Sequence, residues 1–462
     1  MPDVQLNRHE LSRELGGVAA TAIVVGTIIG SGIFLVPSEM MHAVGSPGLV
    51  YLAWTLGGIL SFLGALTYAE LGAMKPYAGG EYVYVRDAYG PMMGFMYAWT
   101  TLLISKPGSI ASMVTGMVRI LGTFAAFSFL GATLVRVPFV VTAGQLVAIS
   151  IVVFISFINY IGVKKAGEFQ VVFTVLKVAI VVGVILVSFF AARGTWSNFA
   201  TRYTAARGGS VGFAIALLAA LWAYDGWNNL NMVAGEVRSP GRNIPLSLIA
   251  GVGLVGALYM LMNAAVQYVM PSGEIAASPR PASEAVLLTL GAGAASLFSG
   301  LMAIQMLATL NGTVLSGSRV PFAAARDGEF FPVLATVHPK YHTPSTAIIF
   351  QACIAAFLIL FAGNFQQLFS MTLFAEWLFY MITSSTVFVF RRKQPNAMRP
   401  YKTLGYPVVP LTFIFASAVL LVYTFASNWK NSAIGSAVIL TGIPVHFYFR
   451  HRSARVTRGL MP

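Results

Sequence analysis

Long apolar stretches separated by short polar segments recur along nearly the whole chain. A helix needs about 20 mostly apolar residues to cross roughly 30 Å of hydrocarbon, because each residue adds about 1.5 Å. Twelve stretches meet this requirement when Gly, Pro and charged residues are taken as their limits. They lie at residues 15–41, 48–74, 92–124, 139–162, 169–191, 211–237, 244–270, 292–325, 343–362, 365–390, 408–427 and 431–449. We therefore predict an all-α integral membrane protein with about 12 transmembrane helices, numbered here as spans 1 to 12.

The composition excludes a water-soluble protein. Hydrophobic residues make up 57% of the 462 and charged residues only 10%, and the mean hydropathy is +0.76. A soluble domain carries about 25% charged residues, so this chain has too few to cover a solvated surface. Cys353 is the only cysteine, and no disulfide can therefore form within the chain.

Several other classes of protein are excluded by charge and motif. The net charge of +14 is spread over many loops, whereas a nucleic-acid partner needs one basic face with aromatic residues. Residues 251–256 spell the dinucleotide fingerprint G-x-G-x-x-G, but they lie inside span 7, where glycines serve helix packing. No metal-ligand cluster, phosphate loop or nucleophile elbow occurs in the sequence. We expect neither an enzyme nor a metal or other cofactor.

The distribution of Lys and Arg predicts the orientation in the membrane. Basic residues are retained in short cytoplasmic loops, and here they concentrate on the side of the N-terminus, for example at 164–165 and 391–393. Both termini are then cytoplasmic. Residues 1–14 form an N-terminal tail and the basic residues 450–462 a C-terminal tail.

Two of the spans are interrupted at matching positions. Span 1 contains Gly30, Ser31 and Gly32, and span 6 contains Asp225 and Gly226, in each case about 15 residues into the span. Transporters with inverted repeats hold their substrate where one helix in each half is broken near the membrane midplane. A break frees N–H groups that suit an anion and carbonyl groups that suit an ammonium ion. The alternative is that these glycines serve close helix packing only.

At five places the residues resemble a known family. The chain is similar to the amino acid-polyamine-organocation superfamily, and within it to the L-amino-acid transporter branch. The segments that carry the resemblance are GTIIGSGIF at 26–34, ALWAYDGWNNLN at 220–231, GEVRSPGRNIP at 235–245, LNGTVLSGSRVPFAAARDG at 310–328 and RPYKTLGYPVVP at 399–410. They lie in order along spans 1 to 11 and so cover nearly the whole chain.

The resemblance implies a LeuT-type fold with a five-plus-five inverted repeat. Residues 15–191 would form the first repeat with spans 1–5, and residues 211–392 the second with spans 6–10. Residues 403–449 would add the peripheral spans 11 and 12.

The resemblance also implies a substrate site at the two breaks. The Ser31 hydroxyl and nearby backbone N–H groups would meet the carboxylate of an amino acid, and carbonyl groups would meet its ammonium group. Trp222 takes the position of the family's aromatic gate. The substrate-binding residues expected in this way are Ile28, Gly30, Ser31, Gly32, Trp222, Ala223 and Asp225.

Four charged residues lie near the middle of spans, where a charge is costly and therefore indicates function: Lys106, Lys177, Asp225 and Glu376. Lys177 resembles a family position whose lysine occupies the place of a sodium ion in sodium-driven relatives. This predicts sodium-independent function, while burial could instead make Lys177 a proton carrier or it could serve structural pairing. Lys106 falls where relatives commonly have an arginine.

Glu376 is the eighth expected substrate-binding residue, and its role has three alternatives. It could read a cationic or polar group of the substrate, it could neutralise Lys106 across the cavity, or it could couple transport to protons. In relatives this position varies with substrate, so the sequence leaves substrate identity open.

Together these features predict a secondary transporter of L-amino acids that works by alternating access in a bacterial inner membrane. We expect a sodium-independent exchanger of neutral or polar amino acids. The alternatives are a proton-coupled symporter, a cationic amino acid or polyamine carrier, and a membrane sensor. Animal relatives bind an accessory subunit through a cysteine before span 4, but residues 125–138 contain none. We expect no disulfide-linked subunit, and a monomer or weak homo-oligomer.

Overall fold

A computed structural model describes residues 11–122, 124–136, 140–190, 193–361, 365–427 and 429–459. Most of the predicted N-terminal tail lies outside these residues, as do the predicted first residue of span 4 and the predicted last residues of spans 5 and 9. Within the described residues the chain is almost entirely helical. An antiparallel pair of short strands, Thr133–Val135 and Val141–Thr142, precedes the helix of span 4, so the second strand occupies two residues predicted to belong to that span.

Spans 1 to 5 are all present as helices or interrupted helices. A short helix, α4, lies between spans 2 and 3, and span 3 is interrupted by a π-turn at Thr101–Ser105. The helices are α1 Gly17–Ile28, α2 Gly32–Val44, α3 Pro47–Met74, α4 Glu81–Tyr89, α5 Pro91–Thr100, α6 Lys106–Leu121, α7 Ala143–Tyr160 and α8 Val163–Phe190.

Spans 6 to 12 are present as well, with two short helices between spans 7 and 8. The helices are α9 Gly209–Ala223, α10 Asn229–Met232, α11 Pro240–Val269, α12 Ser272–Ala277, α13 Pro281–Leu290, α14 Ala292–Gly317, α15 Arg319–Arg326, α16 Ser345–Phe361, α17 Phe365–Lys393, α18 Val408–Ser427 and α19 Trp429–Gly459. Short 3-10 turns lie at Ala125–Gly131, Trp196–Ala200, Ala234–Glu236 and Pro332–Ala335.

The helices confirm a multi-pass membrane protein. Among the described residues, eight continuous or interrupted helices are long and apolar enough to span a bilayer, and three shorter apolar helices accompany them. The remaining differences from the predicted spans concern helix ends. Helix α8 begins six residues before the predicted start of span 5, and its extra turn carries exposed charges such as Lys165 and Glu168, whose charged atoms are 3.5 Å apart. Likewise α19 runs on to Gly459, past the predicted start of the tail.

Both predicted breaks are present and they contact each other. Residues 29–31 separate α1 from α2, and residues 224–228 separate α9 from α10. The Thr27 hydroxyl of α1 donates to the carbonyl oxygen of Gly226 at 2.9 Å. Gly226 has φ +105°, a backbone conformation that residues with a side chain rarely adopt. A Cβ atom there would lie 2.9 Å from the backbone carbonyl oxygen of Thr27. Glycine therefore allows the second break to approach the first.

Candidate substrate site

A cavity lies where the two breaks meet, bordered also by α6, α14 and α17. Its volume is about 680 Å3, including the part open to solvent. The lining residues are Thr27, Ile28, Gly30, Ser31, Gly32, Ser109, Ser112, Met113, Trp222, Ala223, Asp225, Met306, Thr309 and Glu376. The fold thus brings together all eight residues expected to bind substrate.

The break in span 1 presents the start of helix α2 to this cavity. Ser31 is the N-cap residue of α2, and its hydroxyl makes no capping hydrogen bond within the described residues. The first backbone N–H groups of a helix lack partners inside the helix and attract anions. A Cβ atom at Gly32 would lie 2.9 Å from that of Ala223, so only glycine lets α9 approach this closely.

Two carbonyl groups of the breaks share one hydroxyl donor that sequence reasoning did not identify. The Tyr259 hydroxyl of α11 lies 3.0 Å from the carbonyl oxygen of Ile28 and 2.9 Å from that of Ala223. Each carbonyl oxygen has two lone pairs and keeps one for a further donor. Tyr259 occurs in an apolar helix with no distinctive neighbours in sequence, so no sequence signal pointed to it.

Lys177 lies behind the first break and does not line the cavity. Its side chain is 0% exposed. The ammonium group donates to the carbonyl oxygen of Gly26 at 2.7 Å, to the hydroxyl of Thr309 at 2.8 Å and to the carbonyl oxygen of Ile29. These three acceptors match the three N–H donors of a lysine. The ammonium group thus holds the interrupted end of α1 against α14.

Glu376 lines the cavity, and Lys106 lies next to it. Both are buried, and the Lys106 ammonium is 3.8 Å from the Glu376 carboxylate. Lys106 also donates to the side-chain oxygen of Asn229 at 2.8 Å, as does Ser316 at 2.9 Å. The Oε1 atom of Glu376 has no hydrogen-bond partner among the described residues. Glu376 therefore faces both the cavity and Lys106, which leaves its predicted alternatives open.

Asp225 connects the cavity to helix α4 through a chain of hydrogen bonds. The Tyr380 hydroxyl lies 2.7 Å from a carboxylate oxygen of Asp225 and 3.1 Å from the side-chain oxygen of Asn228. The Asn228 amide in turn donates to both carboxylate oxygens of Glu81, at 3.1 and 3.2 Å. The Tyr97 hydroxyl also donates to Glu81. These five residues, Asp225, Tyr380, Asn228, Glu81 and Tyr97, are called the carboxylate network below.

Glu81 was not identified from the sequence because it lies outside the predicted spans, where a charged residue is ordinary. In the structure it is 0% exposed. Burial raises the pKa of Glu81, while the Tyr97 hydroxyl and the Lys106 ammonium favour its charged form. Gly79 and Gly80, which directly precede Glu81, are the one sequence signal that could have indicated close packing of this segment against the helix bundle.

Membrane helices of which two are interrupted around a shared cavity define a transporter of small solutes. The chain matches the family model described as amino acid permease over residues 15–448. It belongs to the amino acid permease family.

Similar proteins are known from animals and bacteria. The chain is 33% identical to the b(0,+)-type amino acid transporter 1 of Mus musculus, over 96% of this chain and 89% of that protein. It is 30% identical to the serine/threonine exchanger SteT of Bacillus subtilis, over 96% of this chain and 98% of that protein. It is also 33% identical to the large neutral amino acids transporter small subunit 2 of Mus musculus, over 96% of this chain and 82% of that protein.

Proposed function

We propose that this permease exchanges L-amino acids across the membrane by alternating access and without sodium. The observation that carries the proposal is the cavity between the two breaks, which offers the N-terminal end of α2 on one side and carbonyl groups on the other. An amino acid has a carboxylate and an ammonium group next to each other, and this pair of charges fits such a site. One similar protein, from Bacillus subtilis, is named as an exchanger.

In this proposal the residues of the cavity take the roles expected from the sequence. The Ser31 hydroxyl and the N–H groups at Gly32 bind the carboxylate of the substrate. Trp222 covers the bound substrate as a gate. Backbone carbonyl groups bind the ammonium group, and these belong to Ile28, Trp222, Ala223 and Asp225.

Independence from sodium rests on Lys177. A sodium ion in a protein is held by several oxygen atoms, and the Lys177 ammonium already occupies the space among two backbone carbonyl oxygens and the Thr309 hydroxyl. The fixed ammonium group then takes the structural place of a sodium ion, and transport needs no sodium gradient. This role is part of the proposal.

The wall of the cavity favours a neutral or polar side chain. Hydroxyl groups of Ser109 and Ser112 can bind a polar substrate group, and Met113 and Met306 supply apolar contact. The second candidate is a carrier of cationic amino acids, which the Glu376 carboxylate on the same wall favours. The two candidates differ in substrate only.

The test is uptake of radiolabelled amino acids by proteoliposomes that contain the purified chain alone. All twenty amino acids are compared with and without internal amino acid, with sodium replaced by choline, and with and without a pH gradient. We expect uptake that requires internal amino acid and is unchanged by choline or by pH gradients. Uptake driven into empty vesicles by sodium or by protons would contradict exchange.

The same experiment tests whether the chain works alone, and the proposal also covers its place in the membrane. We propose that the chain works without a disulfide-linked subunit, as a monomer or weak homo-oligomer, in a bacterial inner membrane with both termini in the cytoplasm. Cys353 is exposed on α16 and is the only cysteine in the chain. Activity that is lost on purification and restored by a co-purified membrane protein would contradict this part.

A further inference from the structure

Helix α4 is fastened to the second half of span 6 more closely than a connecting loop requires. The backbone N–H of Gly79 donates to the carbonyl oxygen of Met232 at 2.8 Å. Gly80 has φ +44°, and a Cβ atom there would lie 2.5 Å from the backbone of Asn231. The Asn231 amide also lies 3.3 Å from the Tyr84 hydroxyl of α4. These contacts hold the start of α4 against α10.

The same contacts of α4 place the Glu81 carboxylate next to the break in span 6. There it accepts hydrogen bonds from Asn228, which belongs to the break, and from Tyr97 of α5. Asn228 is linked through Tyr380 to Asp225 on the wall of the cavity. A buried carboxylate that accepts several hydrogen bonds fixes the geometry of its donors, because leaving it unpaired would be costly.

Members of the carboxylate network line two spaces, the substrate cavity at Asp225 and a smaller one at Asn228 and Tyr380. Ser109 lines the substrate cavity, whereas Ser105, one turn earlier, lines a smaller space of about 240 Å3 together with Tyr97, Asn228 and Tyr380. Tyr97 and Asn228, which line the smaller space, are also the donors to Glu81 of α4, so this space marks the α4 side of the substrate cavity. On a path of substrate through it, the bonds between Asn228 and Glu81 must open.

We propose that Glu81 is a positioning residue of the transport cycle, which holds the break in span 6 to α4 and so closes the substrate cavity on the α4 side. This inference rests on the proposed function, since a closure of this kind serves alternating access. Glu81 does not line the substrate cavity, and it acts through Asn228 and Tyr97. Loss of its bonds shifts the protein toward the state that is open on the α4 side.

The experiment measures thiol labelling and needs no transport. Because Cys353 is the only cysteine, Cys353→Ala gives a background without cysteine. Two reporters are then introduced one at a time, Ser105→Cys for the smaller space and Ser109→Cys for the substrate cavity. Each reporter is combined with Glu81→Gln, which keeps one acceptor oxygen, and with Glu81→Met, which keeps none. The labelling rate by a water-soluble maleimide is measured in detergent.

We expect Glu81→Met to raise the labelling rate of the cysteine at 105 by about tenfold, because that is the effect of losing one hydrogen bond to a charged group. Glu81→Gln should give a smaller rise, and Asn228→Ala combined with Glu81→Met should add little. The rate at 109 should stay within about twofold of the background. If Glu81→Met fails to fold, Glu81→Gln carries the test.

The matched control is Tyr82→Phe on the same helix, since the buried Tyr82 hydroxyl has no hydrogen-bond partner among the described residues. This change should leave both labelling rates unchanged. An unchanged rate at 105 in the Glu81 variants, an equal rise at 105 and 109, or the same effect from Tyr82→Phe would each overturn the inference. If labelling follows these expectations but the unmodified chain exchanges no amino acid in proteoliposomes, only the proposed exchange function is overturned.

Discussion

Single charged residues within apolar spans mark the functional region of this chain at the scale of residues. Lys106, Lys177, Asp225 and Glu376 stand out in sequence because their neighbours are apolar, and the structure places all four at or directly behind the cavity. Their partners were predicted only in part, since the sequence offered Lys106 as a partner of Glu376 and gave none for Lys177. Two of the three acceptors of Lys177 are backbone carbonyl oxygens, which carry no sequence signal, and Glu81 lies in a polar segment where it does not stand out.

The role of Glu376 is tested by its substrate profile. If Glu376 reads a polar or cationic group, Glu376→Gln should weaken binding of such substrates by about 1–3 kcal/mol and leave small neutral amino acids nearly unchanged. If it only neutralises Lys106, which lies 3.8 Å away, the loss should be equal for every substrate. In that case Lys106→Met should restore much of the loss. Binding to the single and double variants is the measurement, and a uniform, rescued loss would exclude substrate selection.

At the scale of elements, the helices of the spans were predictable, whereas the short helices α4, α12 and α13 outside the spans were not. The break in span 1 was indicated by its glycines, and the structure has non-helical residues there. The π-turn at Thr101–Ser105 was not predicted, although Pro107 follows it and a proline disrupts the helical hydrogen bonds of the preceding turn. The early start of α8 also escaped prediction, since hydropathy reports the edge of the hydrocarbon and a helix can continue beyond it.

A buried ion pair fixes α15 to the end of the broken sixth span, and it gives a prediction for stability. Arg319 and Glu236 are both 0% exposed and form two hydrogen bonds of 2.7 and 3.1 Å. Removing one partner leaves an unpaired buried charge, so Arg319→Met should lower the free energy of unfolding by about 3–5 kcal/mol. Adding Glu236→Gln should recover part of it. Thermal unfolding in detergent is the measurement, and an unchanged midpoint in Arg319→Met would contradict this role.

At the scale of the whole molecule, the sequence predicted a membrane protein with two interrupted helices, and resemblance to a family supplied the way in which the helices assemble. Periodicity and hydropathy do not state which helices touch. The contact of Thr27 with Gly226, which joins the breaks, depends on residues 199 positions apart. The inverted repeat and its boundaries at 15–191 and 211–392 remain predictions, as do the peripheral helices at 403–449.

The most direct test is whether the cavity between the breaks binds the amino acid. Gly32→Leu would place a side chain at the proposed carboxylate site, where even a Cβ atom would lie only 2.9 Å from that of Ala223. Gly253→Leu is the matched control, because a Cβ atom there meets nothing within 4 Å. Equilibrium binding of a radiolabelled substrate to purified, folded protein should fall more than about tenfold in Gly32→Leu and stay unchanged in Gly253→Leu. Full affinity in folded Gly32→Leu protein would contradict the site.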